Sequence, residues 1–275
     1  MTLADAALPY VVEGTGQPCL VIGSRIYYPR TFSDRFKSQL RCVYLDQRGF
    51  VPGAEARSDG VLGIEGVVAD IEAARQALGL DRFVLIGHSI HGLIVTAYAR
   101  RYPEHVSHVI AIGGPPEWTS AFTGSTGAFW DKHASAGRKA AHERNWASLS
   151  QDSLAKLPAA EAFVTTYVAN AARYWADSTY DARWLWEGVR LNMARVNEMY
   201  DVQRPFSFAG DTGRVSTPVF VALGRLDFAI PYTTWDNFRG PFGNLTVYVF
   251  DRAGHTPQLE DSTAFDDQIL GWLAR

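Results

Sequence analysis

The chain has 275 residues, 47% of them hydrophobic and 20% charged, enough to bury one large α/β domain or a core domain carrying an insertion. Its 26 Lys and Arg against 29 Asp and Glu leave a formal charge of −3 with no long run of one sign, which argues against nucleic acid, an anionic membrane surface or a disordered tail. Met1-Thr2-Leu3-Ala4-Asp5 lacks the basic and apolar pattern of a secretory leader, and no apolar stretch approaches the ~20 residues a membrane span needs, so a cytoplasmic protein is expected.

Cys19-Leu20-Val21-Ile22-Gly23 and Cys42-Val43-Tyr44-Leu45-Asp46 are the first two buried-strand patterns. Each holds one of the two cysteines, expected as buried reduced thiols; a disulfide would require the two strands to pair closely. Residues 64–80 have the helical period, with Val67, Val68, Ile71, Ala74 and Leu78 on one face. A strand at 83–87, a helix at 90–101 and a strand at 106–112 follow. Near-continuous apolar strands separated by helices predict a mostly parallel sheet flanked by helices on both faces. The rhythm returns with strands at 218–223 and 245–250 and a closing helix from about 256 to 273.

Between these halves the character changes. Residues 114–211 are helix-patterned and aromatic, with no convincing strand, and after Trp118 they contain Trp130, Trp146, Trp175, Trp184 and Trp186. Gly113-Gly114-Pro115-Pro116 opens this stretch and Gly210-Asp211-Thr212-Gly213 closes it. The expected organisation is a core of residues 1–113 and 212–275 with a helical lid, 114–211, inserted. Most of the lid aromatics are expected to pack its own helices.

Ser89, in Gly87-His88-Ser89-Ile90-His91-Gly92, follows an apolar strand directly and opens a helix. A serine on so sharp a turn has its hydroxyl lifted above the sheet edge, where a helix N-terminus favours developing negative charge. Small residues are needed around such a turn. Gly87 supplies one, while the usual second glycine is displaced by His91 to Gly92. A serine that merely caps a helix is the plain alternative. Serine also needs a base, and the base needs an orienting group. Asp227 lies four residues past the strand ending at Leu223, and His255 lies past the last strand, each in a loop, in the order Ser, Asp, His that a hydrolase sheet requires.

These pieces, with Asp46-Gln47-Arg48-Gly49, Gly224-Arg225-Leu226-Asp227 and Gly254-His255-Thr256-Pro257, make the sequence similar to the α/β-hydrolase superfamily over nearly its whole length. Asp46-Gln47-Arg48-Gly49 and the lid most resemble the proline-iminopeptidase branch. The resemblance implies the α/β-hydrolase fold and a triad of Ser89 as nucleophile, His255 as general base then acid, and Asp227 as orienting carboxylate. Asp46 and Arg48 read as a structural pair near the site. Asp251, which ends a strand, reads as a turn cap, His88 as packing that points away from the pocket, and His91 as filling beside the elbow or edging into the site. His105 and His108 lack further ligands, so no metal is expected.

An oxyanion hole needs two backbone N–H donors. One is expected from Ile90, the other from Ser24 or Arg25, in the loop Ile22-Gly23-Ser24-Arg25 where family members commonly carry His-Gly. Tyr27 and Tyr28 make that loop one wall of the pocket. Acyl transfer to water on a small, mostly apolar small-molecule substrate is the leading expectation, without cofactor or metal, with substrate contacts from Tyr27, His91, Trp130, Trp184 and Trp186. Three other readings stand beside it. An aminopeptidase would need a lid carboxylate such as Glu161, Glu187 or Glu198. The same triad also serves lyases and C–C bond hydrolases, and a slow hydrolase scaffold can act as a small-molecule receptor. Epoxide hydrolase and dehalogenase chemistry needs a carboxylate where this chain has Ser89.

Overall fold

The computed structural model describes residues 6–61, 63–209, 213–236, 238 and 242–275. Met1–Asp5, where no leader is expected, and Gly210–Thr212, part of the expected lid exit, lie outside the described residues. The first half runs β1 (Tyr10–Glu13), β2 (Gln17–Gly23), α1 (Asp34–Gln39), β3 (Leu40–Asp46), α2 (Gly63–Leu78), β4 (Phe83–His88), α3 (Ile90–Arg101) and β5 (Val106–Ile112). It continues through β6 (Glu117–Trp118), α4 (Ser120–His133), α5 (Ala136–Ala147), α6 (Gln151–Leu154), α7 (Ala159–Ala169), α8 (Ala171–Tyr174), α9 (Arg183–Trp186), α10 (Met193–Met199) and β7 (Phe206–Ser207). The chain closes with β8 (Val219–Gly224), β9 (Leu245–Phe250), α11 (Pro257–Glu260) and α12 (Ser262–Leu273).

Seven strands form one sheet in the order β1-β3-β2-β4-β5-β8-β9. Only β1, which the sequence pattern did not reveal, runs antiparallel, against β3; the other neighbours are parallel. Strand alternation splits the apolar runs between two layers. Leu20, Ile22 and Leu85 join the core under α2 and α3, while Cys19, Val21, Val84 and Ile86 join the core holding Phe36, Phe265 and Trp272 from α1 and α12. Cys19 and Cys42 are direct neighbours across β2 and β3, and both remain free, buried thiols. The closing helix is broken at Asp261, whose φ of −137° separates α11 from α12. No helix among the described residues is long and apolar enough to cross a membrane.

The stretch between β5 and β8 is helical apart from two short strands that the sequence did not announce. β6 pairs antiparallel with β7, Glu117 opposite Ser207 and Trp118 opposite Phe206, so the helical segment leaves and rejoins the core at one place. Its helix starts follow from local chemistry: Thr119 and Ser135 place side-chain oxygens on the N–H groups of Phe122 and Arg138.

One attachment to the core is at residues 171–176. The Tyr174 carbonyl accepts the His255 N–H at 2.5 Å, and the Arg173 carbonyl accepts the Phe228 N–H at 2.9 Å. The Glu260 carboxylate accepts from Ala176 and Thr256 N–H groups, and the Arg138 guanidinium donates to the carbonyls of Ala172, Trp175 and Ala176. The backbones meet so closely that a Cβ on Gly254 would stand 2.3 Å from the Tyr174 oxygen. Gly254→Ala is therefore expected to cost about 1–3 kcal/mol of stability by overpacking, because only backbone could give way. A lowered urea midpoint at unchanged slope checks this.

Candidate active site

Parallel strands leave a crevice beyond their carboxyl ends where strand order reverses. Here β2 and β4 are neighbours although β3 lies outside them, and the crevice opens above Gly23 and His88. Ser89 follows β4 at φ 59° and ψ −133°, the one non-glycine with positive φ among the described residues. That backbone state costs on the order of 1–3 kcal/mol and persists only where its surroundings hold it. The Ser89 N–H donates to the Ile112 carbonyl at 2.8 Å, and the Gly92 N–H returns to the Ser89 carbonyl at 2.8 Å. A Cβ on Gly87 would lie 2.2 Å from the His91 oxygen, and one on Gly92 would lie 2.9 Å from the Cα of Gly114. Gly92 thus serves the helix contact with Gly114, leaving the position of His91 free to carry a side chain.

Asp227 and His255 meet across the loops after β8 and β9. His255 Nδ1 lies 2.7 Å from Asp227 Oδ2, and both side chains are sealed from solvent on that side, at 3% and 0% exposure. The other carboxylate oxygen accepts the N–H groups of Ala229 and Ile230 at 2.8 and 2.9 Å. With Oδ1 accepting two backbone N–H groups, Oδ2 serves as acceptor for Nδ1, and Nε2 is the ring nitrogen turned away from the carboxylate. Gly113, at φ 52°, lies against the imidazole: a Cβ there would be 3.0 Å from Nδ1. Ser89 and His255 line one cavity. Asp251 is elsewhere, paired with Arg225 at 2.9 Å on the surface.

On the β2 side the two candidate amides differ. The Arg25 N–H donates to Asp46 Oδ1 at 2.6 Å, and its Nε reaches Oδ2 at 3.1 Å, so that amide is already committed. Ser24 is placed otherwise. The Gly23 carbonyl accepts the Gln47 N–H beyond β3, and the two ends of a peptide point oppositely, which aims the Ser24 N–H toward β4 and Ser89. Ile90 opens α3, where the first N–H groups have no intrahelical acceptor. Asp46 and Arg48, expected as a pair, are not one: Arg48 is bound to Asp70 at 2.7 and 3.0 Å, and Asp70 also takes Arg57. Burial raises Asp46 to about 6, against the lowering effect of Arg25.

The cavity measures about 420 Å³. Tyr27, Tyr28, His91 and Trp186 line it, joined by Tyr167, Tyr174 and Tyr200. Trp186 packs edge-on to Tyr27 and Tyr167, whose hydroxyls are 3.1 Å apart. Trp130 and Trp184 do not reach it. Trp130 packs on His142 of the helical segment and on Phe228 of the loop after β8, and Trp184 is 39% exposed, its indole N–H donating to the Tyr180 hydroxyl. His88, expected to point away, lines the cavity wall while its Nε2–H donates to the His255 carbonyl at 2.8 Å. Sequence reasoning also missed Arg173 and the lid tyrosines, since a periodic pattern tells which face is buried and not which cavity it faces. His105 and His108 stay apart from any ligand set: His105 bonds the Asp81 carbonyl, His108 packs on Trp272, and no cluster able to hold a metal occurs among the described residues.

Comparison with known proteins places the chain's fold among relatives. The family model for the alpha/beta hydrolase fold matches residues 23–262. The AB hydrolase superfamily protein YclE of Bacillus subtilis (strain 168) is 34% identical over 269 residues, covering 97% of this chain and 95% of that protein. Among solved structures, the Bacillus megaterium epoxide hydrolase in complex with an inhibitor superposes with a TM-score of 0.65 at 20% identity, covering 98% of this chain and 97% of that one. A thermophilic esterase from Thermogutta terrifontis gives 0.64 at 20% identity, over 97% and 93%. At such identities the two structures speak for the fold alone.

Burial holds the His91 imidazole down at about 4, and burial with the neighbouring His255 holds His88 well below the usual range. A base depressed in the folded state binds fewer protons folded than unfolded, so its contribution to stability is lost as pH falls from about 6.5 to about 4. Relative to His91→Phe, the wild-type protein is expected to lose about 3 kcal/mol across that window. Buried carboxyls such as Asp46 act in the opposite sense but equally in both proteins. Urea unfolding of the two at pH 7 and pH 4 measures the difference.

Proposed function

The chain belongs to the α/β-hydrolase fold family, and from that premise we propose that it is a serine hydrolase cleaving a small carboxylic ester, thioester or activated amide through an acyl-enzyme on Ser89. The observation that carries this reading is the 2.7 Å contact of Asp227 with His255 Nδ1, which leaves Nε2 as the base in the cavity of the strained Ser89. Nε2 takes the Ser89 proton as Oγ attacks the carbonyl carbon, and the Ile90 and Ser24 amides receive the oxyanion. The imidazolium then protonates the leaving group, and water repeats the sequence to free the acid. Each oxyanion donor is worth on the order of 10²–10³ in kcat. Helices α4–α10 act as the lid, their aromatic side chains excluding water from the reacting carbonyl.

An aminopeptidase fits less well. Its substrate ammonium needs a carboxylate in the pocket, yet the described lining residues include no Asp or Glu. Glu198 is held by Arg195 and by the Gly63 N–H, and Glu161 and Glu187 lie outside the lining. A serine at the elbow also disfavours the epoxide chemistry named for one structural neighbour, because that reaction needs a carboxylate nucleophile.

A fluorophosphonate probe is expected to label the wild-type protein and not Ser89→Ala; equal labelling of both overturns the assignment. Asp227→Asn should fold normally and lower kcat on an activated ester by about 10³–10⁴, since the amide holds the imidazole in the wrong tautomer. Steady-state kinetics beside a circular-dichroism spectrum checks both halves of that statement.

A further inference from the structure

The described lining of the cavity contains one permanently charged side chain, Arg173. Its backbone is among the best anchored in the helical segment. Its own carbonyl holds the Phe228 N–H, one residue past Asp227, and the next carbonyl, of Tyr174, holds the His255 N–H. The backbone that carries the cation is therefore held in register with both loops of the site.

Arg100, stacked on Phe206 and Phe208, lies outside the cavity lining, and two other arginines around the segment are engaged. Arg138 donates to three carbonyls, and Arg48 is bound bidentate by Asp70. Arg173 differs. Its guanidinium lies over the Trp130 ring, 4.8 Å from the centroid, and no carboxylate or carbonyl among the described residues accepts from it. An indole face attracts the charge but offers no lone pair in the plane of the five N–H donors. Asn170, the other polar lid residue beside it, is spent on Thr166 and Trp146. A stacked, pre-oriented fork with unmet donors in an otherwise aromatic pocket is built to receive a planar anion.

We infer that Arg173 is a specificity-determining residue that reads a carboxylate on the substrate, so that the ester or thioester cleaved carries a free acid group away from the scissile carbonyl. This rests on Ser89 as the nucleophile. The acid could lie on the acyl side, as in a hemi-ester of a dicarboxylic acid, or on the leaving group, as in an ester of a hydroxy acid. In either case Arg173 exchanges no proton and acts by binding alone.

The test uses two pairs of esters. On the acyl side, the mono-p-nitrophenyl ester of glutaric acid is compared with its methyl-capped form; on the leaving-group side, 4-acetoxybenzoate is compared with its methyl ester. The acid is expected to exceed its neutral partner in kcat/KM by about tenfold to a hundredfold in one pair, as a charge-assisted bond affords. That ratio should collapse toward one in Arg173→Met and be partly kept in Arg173→Lys, which restores the charge without the fork. A ratio at or below one in both pairs for the wild-type protein, or a ratio that Arg173→Met leaves intact, overturns the inference. Calorimetry of Ser89→Ala with glutarate and with its dimethyl ester reads recognition without turnover: tighter binding of the acid supports it, equal or weaker binding overturns it. Probe labelling that depends on Ser89, with no acid preference, would sink the role of Arg173 alone; labelling independent of Ser89 would sink the nucleophile first.

Discussion

Ser89 stands in a backbone conformation that its own residue type disfavours, and the packing that keeps it there organises the rest of the site. The turn closes only because Gly87 leaves room for the His91 carbonyl and because Gly92 lets α3 approach Gly114. The Ile112 carbonyl then fixes the serine amide from the neighbouring strand. With those contacts made, α3 starts where its first amides face the crevice, and the hydroxyl is carried above the sheet. Strain of this kind is retained when many contacts over-determine it, which is the case here.

The second constraint joins the helical segment to the core. Two backbone hydrogen bonds, from the amides of Phe228 and His255 to consecutive carbonyls at 173 and 174, tie the roof of the cavity to the loops that carry Asp227 and His255. The Glu260 carboxylate completes the joint from below by accepting from both sides of it. Cavity shape and imidazole placement are thus not independent. Residues 171–176 and the His255 backbone are therefore coupled through these hydrogen bonds.

Electrostatically the pocket is simple. His88 and His91 are held neutral by burial, and the tyrosines around the cavity are held protonated by the same cause, including Tyr28, Tyr167 and Tyr200. Against this largely aromatic lining, Arg173 is the one permanently charged side chain among the described lining residues. Fixed charges in such surroundings act over longer distances than they would in water.

Much of this was legible in the residues alone. The apolar runs at 19–23, 42–46, 83–87 and 106–112 declared parallel strands because a strand buried on both faces has no polar alternation. Ser89, Asp227 and His255 declared themselves by following strands in the required order. The short strands β1, β6 and β7 left no such mark, being too brief or too exposed to carry a period. Nor could local pattern assign the Ser24 and Arg25 amides, since their difference lies in the direction of one peptide and in the reach of Asp46, 21 residues away. Trp184 against Trp186 and Arg173 makes the same point: in helices of four residues there is no repeat to read, and which side chains face the cavity follows from how the segment docks. Sequence alone therefore determined the sheet, the elbow and the order of the three polar residues, because each is written in local patterns of burial and turn chemistry. Tertiary structure decided which amide of the β2 loop is left uncommitted and which side chains line the pocket, because those depend on contacts between residues distant in the chain.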